Sequence, residues 1–328
     1  MTIPSIPSTS RPRLVADIGG TNARFAWQHH AGGEVVDVQT LPCAGFASLD
    51  EAIGAYLGGF GRSAPPDCAI AIANPVTGDV VRMTNHHWAF SISALKQHFG
   101  FERLRVLNDF TALALALPHL PPDELRQVGG GTPVVGTPIA LIGPGTGLGV
   151  SGLVPDGRGG WIALEGEGGH ATLGGRTDRE TAVLRRIAAR YGHASGERAV
   201  SGQGLIDVYE ALQAIDAPGH TARELTAAEI VQGALDDHMP ACLEAIDLFC
   251  AFLGTAAGNL ALTLGARAGV YIGGGIVPRL GEAFVLSPFR ARFEAKGRFQ
   301  AYLAAIPVYV IHAKQSPALL GAASALDS

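Results

Sequence analysis

The chain has few cysteines, and they lack the spacings that bind metal or form disulfide frameworks. The four cysteines, Cys43, Cys68, Cys242 and Cys250, include no C-x-x-C pair, and none lies beside a histidine at metal-ligand spacing. Structural zinc sites and small disulfide-bonded scaffolds use closely spaced cysteines. The sequence therefore predicts reduced thiols of the kind found in the cytoplasm, with no structural zinc and no disulfide framework.

Charged residues are scarce, and no stretch is strongly basic. Only 16% of the 328 residues are charged, the formal net charge is −5, and lysine and arginine form no continuous run. Proteins that bind nucleic acid through charge carry a basic patch or stripe. We therefore expect no nucleic-acid partner. With 47% hydrophobic residues, a chain of this length can build a large buried core and two domains.

Long uncharged runs are also rare, and one stretch alone is long enough to cross a membrane. Residues 248–266 carry no charge, but they include Asn259 and three glycines, and Asp247 and Arg267 flank them. Small residues of this kind suit close packing inside a domain. We expect a buried helix and no membrane partner. Residues 1–13, rich in proline and serine without an apolar segment, predict a flexible tail and no signal peptide, hence a cytoplasmic location.

The first candidate site is a glycine turn between two apolar runs. An apolar run containing Asp17 is broken by Gly19 and Gly20, and a second apolar run begins after Thr21 and Asn22. Paired glycines let backbone N–H groups approach an anion, because no Cβ stands in the way. A carboxylate at a strand end can also hold a hydrated metal ion. The pattern is consistent with a cradle for the phosphates of a Mg²⁺-nucleotide, or with an ordinary hairpin that has a structural aspartate.

Two more glycine turns follow strand patterns later in the chain. Gly145, Thr146 and Gly147 separate two apolar runs, which repeats the arrangement of strand, turn and strand. The repeat indicates a duplicated ancestor whose halves face a shared cleft. The last glycine turn, residues 273–275, has three glycines between a short strand and a helix. It predicts either a flat surface for an adenine ring or a packing turn.

A carboxylate lies at a junction between a strand and a helix. Asn108 and Asp109 follow the strand pattern of residues 104–107 and precede the helical pattern of residues 111–117. Either residue is a suitable helix N-cap. Alternatively, a carboxylate at the C-terminal edge of a sheet lies where α/β proteins place ligands, and it can accept the proton of an attacking hydroxyl.

A further acidic and histidine-containing segment is interrupted by glycines. Gly168 and Gly169 leave bare backbone between Glu167 and His170. A carboxylate and an imidazole suit hydroxyl groups, which both donate and accept hydrogen bonds, as in sugars. The helical H-E-x-x-H spacing of zinc enzymes is absent. Glu197, on a later loop, is by itself a plain surface acid.

One aromatic stretch has two interpretations. Asn85, His86 and His87 precede Trp88. Polar side chains beside an aromatic ring suit a small polar ligand. The alternative is a surface loop with a packed tryptophan, and the role of this stretch stays open at the level of sequence.

Taken in chain order, these motifs resemble the zinc-free branch of the bacterial ATP-dependent glucokinase family. The resemblance extends from about Leu14 to Ala325, and each motif is weak alone whereas the ordered series is specific. A related group of repressors and sugar kinases has a cysteine cluster for zinc, which this sequence lacks, and no helix-turn-helix pattern precedes residue 14. The motifs are residues 17–24, 108–110, 143–149, 167–170, 197–202 and 273–278.

The resemblance implies a fold and a domain organisation. The fold is the α/β actin-like ATPase (ribonuclease H-like) fold, with two α/β domains, each with a mixed five-stranded sheet, around a deep cleft. It implies a small domain over residues 14–118, rejoined by a C-terminal helix at 313–328, and a large domain over 119–312. It also implies a homodimer.

The resemblance further implies an activity: ATP-dependent phosphorylation of D-glucose at the 6-hydroxyl, which leads into glycolysis, with ATP and Mg²⁺ as cofactors. A kinase for another hexose and a non-catalytic sugar and nucleotide sensor are the alternatives. Asp109 matches the catalytic base, and Asp17 is expected to hold Mg²⁺ through water. The positions implied for sugar are Asn108, Asp109, Glu167, His170 and Glu197. Those implied for nucleotide are Asp17, Gly19, Gly20, Thr21, Asn22, Gly145, Thr146, Gly147, Gly273, Gly274 and Gly275.

Overall fold

A computed structural model describes residues 11–84, 86–219, 223–313 and 316–327. It divides into two units. Unit 1 comprises the residues up to Leu120, Gly160–Ala163 and those from Ala313 onward, and unit 2 comprises Pro121–Gly159 and Leu164–His312. Predictions for most of the tail, for Asn85 and for part of the segment 313–328 lie outside the described residues.

The strands are short and most of them are apolar. In the described residues they are Arg13–Ile18 (β1), Asn22–Gln28 (β2), Val35–Pro42 (β3), Asp67–Ile72 (β4), Val80–Arg82 (β5), Ala89–Ser91 (β6), Arg103–Asn108 (β7), Leu125–Gln127 (β8), Ile139–Pro144 (β9), Leu148–Pro155 (β10), Trp161–Gly166 (β11), Gly269–Ile272 (β12) and Val308–Ile311 (β13).

Several helices begin at capping side chains. Ser48 accepts a hydrogen bond from the amide of Glu51, and Thr226 and Glu229 form a reciprocal capping box. The α-helices in the described ranges are Leu49–Gly59 (α1), Ile92–Phe99 (α2), Asp109–Ala116 (α3), Asp178–Tyr191 (α4), Gly202–Asp216 (α5), Ala227–Leu235 (α6), Pro240–Leu264 (α7), Val277–Leu280 (α8), Glu282–Leu286 (α9), Phe289–Glu294 (α10), Gln300–Ala304 (α11) and Pro317–Ser324 (α12).

Unit 1 contains a mixed five-stranded sheet in the order β3-β2-β1-β4-β7. Strands β1, β4 and β7 are parallel, so their carboxyl ends lie at the same edge of the sheet. The register pairs Ile18 with Ile72 and Ile72 with Asn108. Residues just beyond these three strands are therefore brought together, although they are distant in sequence.

The two faces of the unit 1 sheet pack against different helices. Successive side chains of a strand point to opposite faces, and Leu14 and Ala16 of β1 belong to a core shared with α1 and α2. Val15 belongs to a second core with α3 and α12, which is built mainly of alanine. Asp17 shares the face of Val15. In this second core Gly321 of α12 lies so close to the carbonyl of Ala112 that a Cβ would overlap it.

The second sheet is mixed, with six strands in the order β11-β10-β9-β12-β13-β8, and all of it except the first residues of β11 belongs to unit 2. The expected number was five. The additional edge strand is β8, which pairs antiparallel with β13. In this pairing Leu125 lies opposite Ile311. Strands β9, β12 and β13 are parallel, and β10 returns antiparallel to β9.

Helix α7 forms much of the core of unit 2. It is the buried helix expected at residues 248–266, but it begins earlier, at Pro240. Its length and hydropathy would allow a membrane span, yet 61% of its most apolar window is buried inside the protein. The glycines that interrupt it allow close packing, since a Cβ at Gly254 or Gly258 would meet the backbone of α10. The four cysteines are free and buried.

One apolar run is split between a helix and a strand. Residues 304–311 predict a single strand, but the strand begins only at Val308 and α11 ends at Ala304. The amides of Ala305 and Ile306 donate hydrogen bonds to carbonyls of that helix. Pro307 has no amide hydrogen that could donate to a neighbouring strand. The prediction of strand for residues 304–307 was therefore wrong.

Candidate active site

The first glycine turn joins β1 to β2 in unit 1, as the sequence predicts. The amide of Gly19 donates to the carbonyl of Asn22 at 2.9 Å, which closes the turn. Asp17 Oδ2 accepts hydrogen bonds from Arg24 Nη1 at 3.2 Å and from Ser316 Oγ at 2.6 Å. The Ser316 contact was not predicted, because 299 positions separate the two residues.

Asn108 and Asp109 lie at the same sheet edge, where β7 leads into α3. Asn108 is the N-cap, and its Oδ1 accepts from the amide of Phe110 at 2.9 Å. Asn108 Nδ2 donates to the carbonyl of Asn74 at 3.4 Å, and this partner was also missed. Asp109 Oδ1 accepts from the same Phe110 amide at 2.9 Å. The N-cap interpretation is correct for Asn108, and it leaves Asp109 as the partly buried carboxylate beside the cap.

The environment of Asp109 changes its acidity. Burial raises its pKa from 3.8 to about 6, and the negative charge of Asp17 adds to the increase, while the amide of Phe110 opposes it. A carboxylate with a pKa near the operating pH is well suited to proton transfer. Unit 1 thus combines a glycine turn, Asp17 and a carboxylate with a raised pKa.

The second glycine turn joins β9 to β10 in unit 2. The amide of Gly145 donates to the carbonyl of Gly147 at 2.8 Å. The amide of Gly202 donates to the carbonyl of Gly145 at 2.9 Å, so the turn lies beside the start of α5. Thr146 is exposed at the tip. The turn therefore presents a polar side chain and open backbone to solvent.

The structure brings Glu197 together with two of the glycine-containing segments of unit 2. Its amide donates to the carbonyl of Gly169 at 2.8 Å, and its carboxylate Oε2 accepts from the amide of Leu148 at 3.1 Å. Glu197 is partly buried, so its interpretation as a plain surface acid is wrong. Glu167 and His170 present exposed side chains next to Gly169, with 3.9 Å between His170 Nε2 and Glu167 Oε2.

The triple-glycine segment lies against the strand that leads to the second turn. The amide of Gly273 donates to the carbonyl of Ile142 at 2.9 Å. Gly274 has a positive φ of 78°, and a Cβ there would overlap the carbonyl of Pro144. Only glycine satisfies both conditions at this position. Gly274 and Gly275 are exposed, so the segment packs on β9 and also offers open backbone.

The stretch around Trp88 packs into unit 1. The Trp88 ring is buried, and its Nε1 donates to the carbonyl of Phe46 at 3.1 Å. The rings of His86 and His87 lie 4.1 Å apart. This arrangement favours the packing interpretation for Trp88. The contribution expected near Asn85 lies outside the described residues.

The described residues contain no group of three or more histidine, cysteine, aspartate or glutamate side chains that could hold a metal ion by themselves. A Mg²⁺ ion that arrives with a nucleotide needs fewer protein ligands, since phosphates and water complete its shell. Asp17 is compatible with that role, because it is a carboxylate beside a glycine turn.

Comparison with known proteins gives a family match over nearly the whole chain. A family model described as Glucokinase matches residues 14–328. A glucokinase from Aromatoleum aromaticum is 54% identical over 99% of this chain and 98% of its own length. One from Chromobacterium violaceum is 54% identical over 96% of this chain and 89% of its own length. The crystal structure of a glucokinase from an Antarctic psychrotroph matches with a TM-score of 0.88 and 37% identity, over 97% of this chain and 99% of that one.

Proposed function

Because the chain belongs to the glucokinase family, we propose that it transfers the γ-phosphate of ATP to the 6-hydroxyl of D-glucose, giving glucose 6-phosphate and ADP. The family and the actin-like ATPase fold expected from the sequence are confirmed. The observation that carries the chemistry is the partly buried carboxylate of Asp109 at the edge of the unit 1 sheet, where burial raises its pKa.

Asp109 acts as the general base. Its carboxylate accepts the proton of the 6-hydroxyl while that oxygen forms a bond to the γ-phosphorus and the bond from phosphorus to ADP breaks. A base with a pKa of about 6 is largely ionised at neutral pH, yet it still has affinity for the proton.

The sugar is held by polar side chains. Asn108, Glu167, His170 and Glu197 bind the hydroxyls that do not react. Carboxylates accept hydrogen bonds from hydroxyl groups, and charged hydrogen bonds of this kind are stronger than neutral ones. Because Glu167 and His170 are exposed, they are available to a ligand.

The nucleotide is held mainly by backbone. The turns at Gly19–Thr21 and Gly145–Gly147 provide amides for phosphate oxygens, and Gly273–Gly275 provides an open surface for adenosine. Asp17, together with Asn22, belongs to the phosphate site, where Asp17 would hold Mg²⁺ through water. When bound, Mg²⁺ neutralises charge on the phosphate oxygens.

We also infer a cytoplasmic location, a homodimer, and a division into a small domain (residues 14–118 and 313–328) and a large domain (residues 119–312). The free, buried cysteines suit a reducing compartment.

The resemblance of the motifs supports the homodimer. Light scattering coupled to size-exclusion chromatography measures the mass, and a monomer at working concentration contradicts the dimer.

Coupled spectrophotometric detection of ADP release tests the proposed activity. The assay uses Mg-ATP with glucose, mannose, fructose, N-acetylglucosamine or no sugar. We expect strong activity with glucose and little with the others. A preference for another hexose would make that sugar the substrate in place of glucose. Binding of glucose in calorimetry without any turnover contradicts a kinase and supports the sugar and nucleotide sensor.

The rate is expected to fall in acid as Asp109 takes up a proton. Since the pKa of Asp109 is raised to about 6, kcat/KM for glucose should decrease about tenfold per pH unit below that value. Initial rates between pH 4.5 and 8, with protein that remains folded by circular dichroism, measure this. A profile that is flat down to pH 5 rules out Asp109 as the titrating base.

Replacing Glu167 with glutamine should raise the KM for glucose by about 10- to 100-fold, because a hydrogen bond to a charged group contributes about 1.5–3 kcal/mol. The kcat should change much less. Glu165→Gln is the matched control, since Glu165 is an exposed glutamate two residues earlier in the chain, on β11. If KM is unchanged in Glu167→Gln, Glu167 is not part of the sugar site.

A further inference from the structure

Glu197 is connected to the second glycine turn more closely than a sugar ligand requires. Its Oε2 accepts the amide of Leu148, the residue that directly follows the turn. In addition, a Cβ at Gly147 would overlap Glu197 Oε2, so a side chain there would require the carboxylate to shift. The carboxylate therefore packs against the backbone of the turn itself.

The backbone of Glu197 is fixed on its other side. Its amide donates to the carbonyl of Gly169, and the neighbouring amide of Gly196 donates to the carbonyl of Ala171 at 2.9 Å. The guanidinium of Arg198 lies 3.9 Å from the centre of the Tyr191 ring. Because the main chain is held at these points, the carboxylate is a fixed hydrogen-bond acceptor beside the turn.

The carboxylate has two oxygens, and only one of them is used in this contact. Oε2 bonds to Leu148, and among the described residues Oε1 has no hydrogen-bond partner. A sugar hydroxyl donating to Oε1 would therefore meet a carboxylate whose second oxygen already holds the turn. Carboxylates accept several hydrogen bonds at once, so the two contacts are compatible.

We propose that Glu197 is a positioning residue for the turn at Gly145–Gly147 as well as a sugar ligand, so that this side chain links sugar binding to nucleotide binding within unit 2. The inference rests on the proposed function, in which that turn binds phosphate. Such a link is reciprocal: if sugar improves nucleotide affinity by a given factor, nucleotide improves sugar affinity by the same factor.

Nucleotide binding in the absence of sugar tests this directly. Titration calorimetry with the Mg²⁺ complex of a non-hydrolysable ATP analogue gives the dissociation constant for each variant. Glu197→Ala removes the hydrogen bond to Leu148 and should weaken binding about tenfold, although no contact between Glu197 and nucleotide is proposed. Glu197→Gln keeps a carbonyl oxygen for the Leu148 amide and should bind within about threefold of the unaltered chain.

A double-mutant cycle identifies the contact. Gly147→Ala pushes the carboxylate away from the turn. It should therefore weaken the binding of the nucleotide analogue and, in a separate titration, the binding of glucose. In a Glu197→Ala background the added methyl group has no carboxylate to displace, so the second substitution should lower the ligand affinities only slightly. Gly174→Ala, where a Cβ has open space in an exposed part of unit 2, is the matched control. Thermal melting verifies that each variant is folded.

The outcomes separate this inference from the proposed function. An unchanged nucleotide affinity in folded Glu197→Ala, or fully additive effects of the two substitutions, overturns the positioning role even if glucose is phosphorylated. Failure of the unaltered chain to bind glucose overturns the proposed substrate, whereas the nucleotide titrations still report on the contact between Glu197 and the turn.

Discussion

Asp109→Asn is expected to lower kcat by about 100- to 10,000-fold, while the KM for glucose changes much less. Asparagine occupies nearly the same volume and its carbonyl can still accept the Phe110 amide, but it has no basic oxygen for the proton of the 6-hydroxyl. Steady-state kinetics with saturating Mg-ATP measure the effect. Turnover close to that of the unaltered chain contradicts the assignment of the base.

Stability provides the control for this substitution. The pKa of Asp109 is raised from 3.8 to about 6, so the folded chain binds the proton more tightly than the unfolded chain does. The contribution of Asp109 to stability therefore falls as pH rises from about 4 to about 6. Asp109→Asn should be more stable than the unaltered chain at pH 7, with the difference vanishing near pH 4. Denaturation at both values tests this, and a less stable variant at pH 7 contradicts the raised pKa of Asp109.

Gly321→Ala is expected to destabilise the protein by about 1–3 kcal/mol or more. Gly321 lies on α12 against the carbonyl of Ala112 on α3, and a methyl group at this position would overlap backbone. Backbone cannot move aside as a flexible side chain can, so the two helices must separate. The alanine core between them would lose contacts. Urea denaturation measures the change in free energy of unfolding.

Gly54→Ala is the matched control for Gly321→Ala. Gly54 lies in the interior of α1, is exposed, and has open space where a Cβ would be placed. Alanine there should stabilise the helix by up to about 1 kcal/mol, because glycine has more conformational freedom in the unfolded chain. If both substitutions change the free energy of unfolding in the same direction, the close approach of α12 to α3 does not limit stability.

Local patterns in the sequence predicted local structure well. The turn at Gly19 and the turn at Gly145 each join two strands, and Asn108 caps α3. Such features depend on a few neighbouring residues, whose backbone preferences and hydrogen-bonding groups are legible in the sequence. The family resemblance rested on these motifs in order, and the comparisons confirm it.

Contacts between residues that are far apart in the sequence could not be predicted from local patterns. The hydrogen bond from Ser316 to Asp17 and the contact of Glu197 with Leu148 depend on how whole elements pack. The raised pKa of Asp109 likewise depends on burial and on Asp17, which no local pattern reveals. The three short helices between Glu282 and Ala304 were also missed, since segments of five or six residues have too few positions to show a helical period. The assigned roles of the individual site residues stay predictions.

Helix α12 has a consequence for biosynthesis. Unit 1 begins with β1, but α12, which packs on that strand and on α3, is translated only after the whole of unit 2. On the ribosome, unit 2 can therefore fold while unit 1 still exposes the alanine-rich face that α12 covers. The hydroxyl of Ser316 also reaches Asp17 only then. A nascent polypeptide therefore lacks both the Ser316 contact to Asp17 and the covering helix until residues 316–324 have left the exit tunnel.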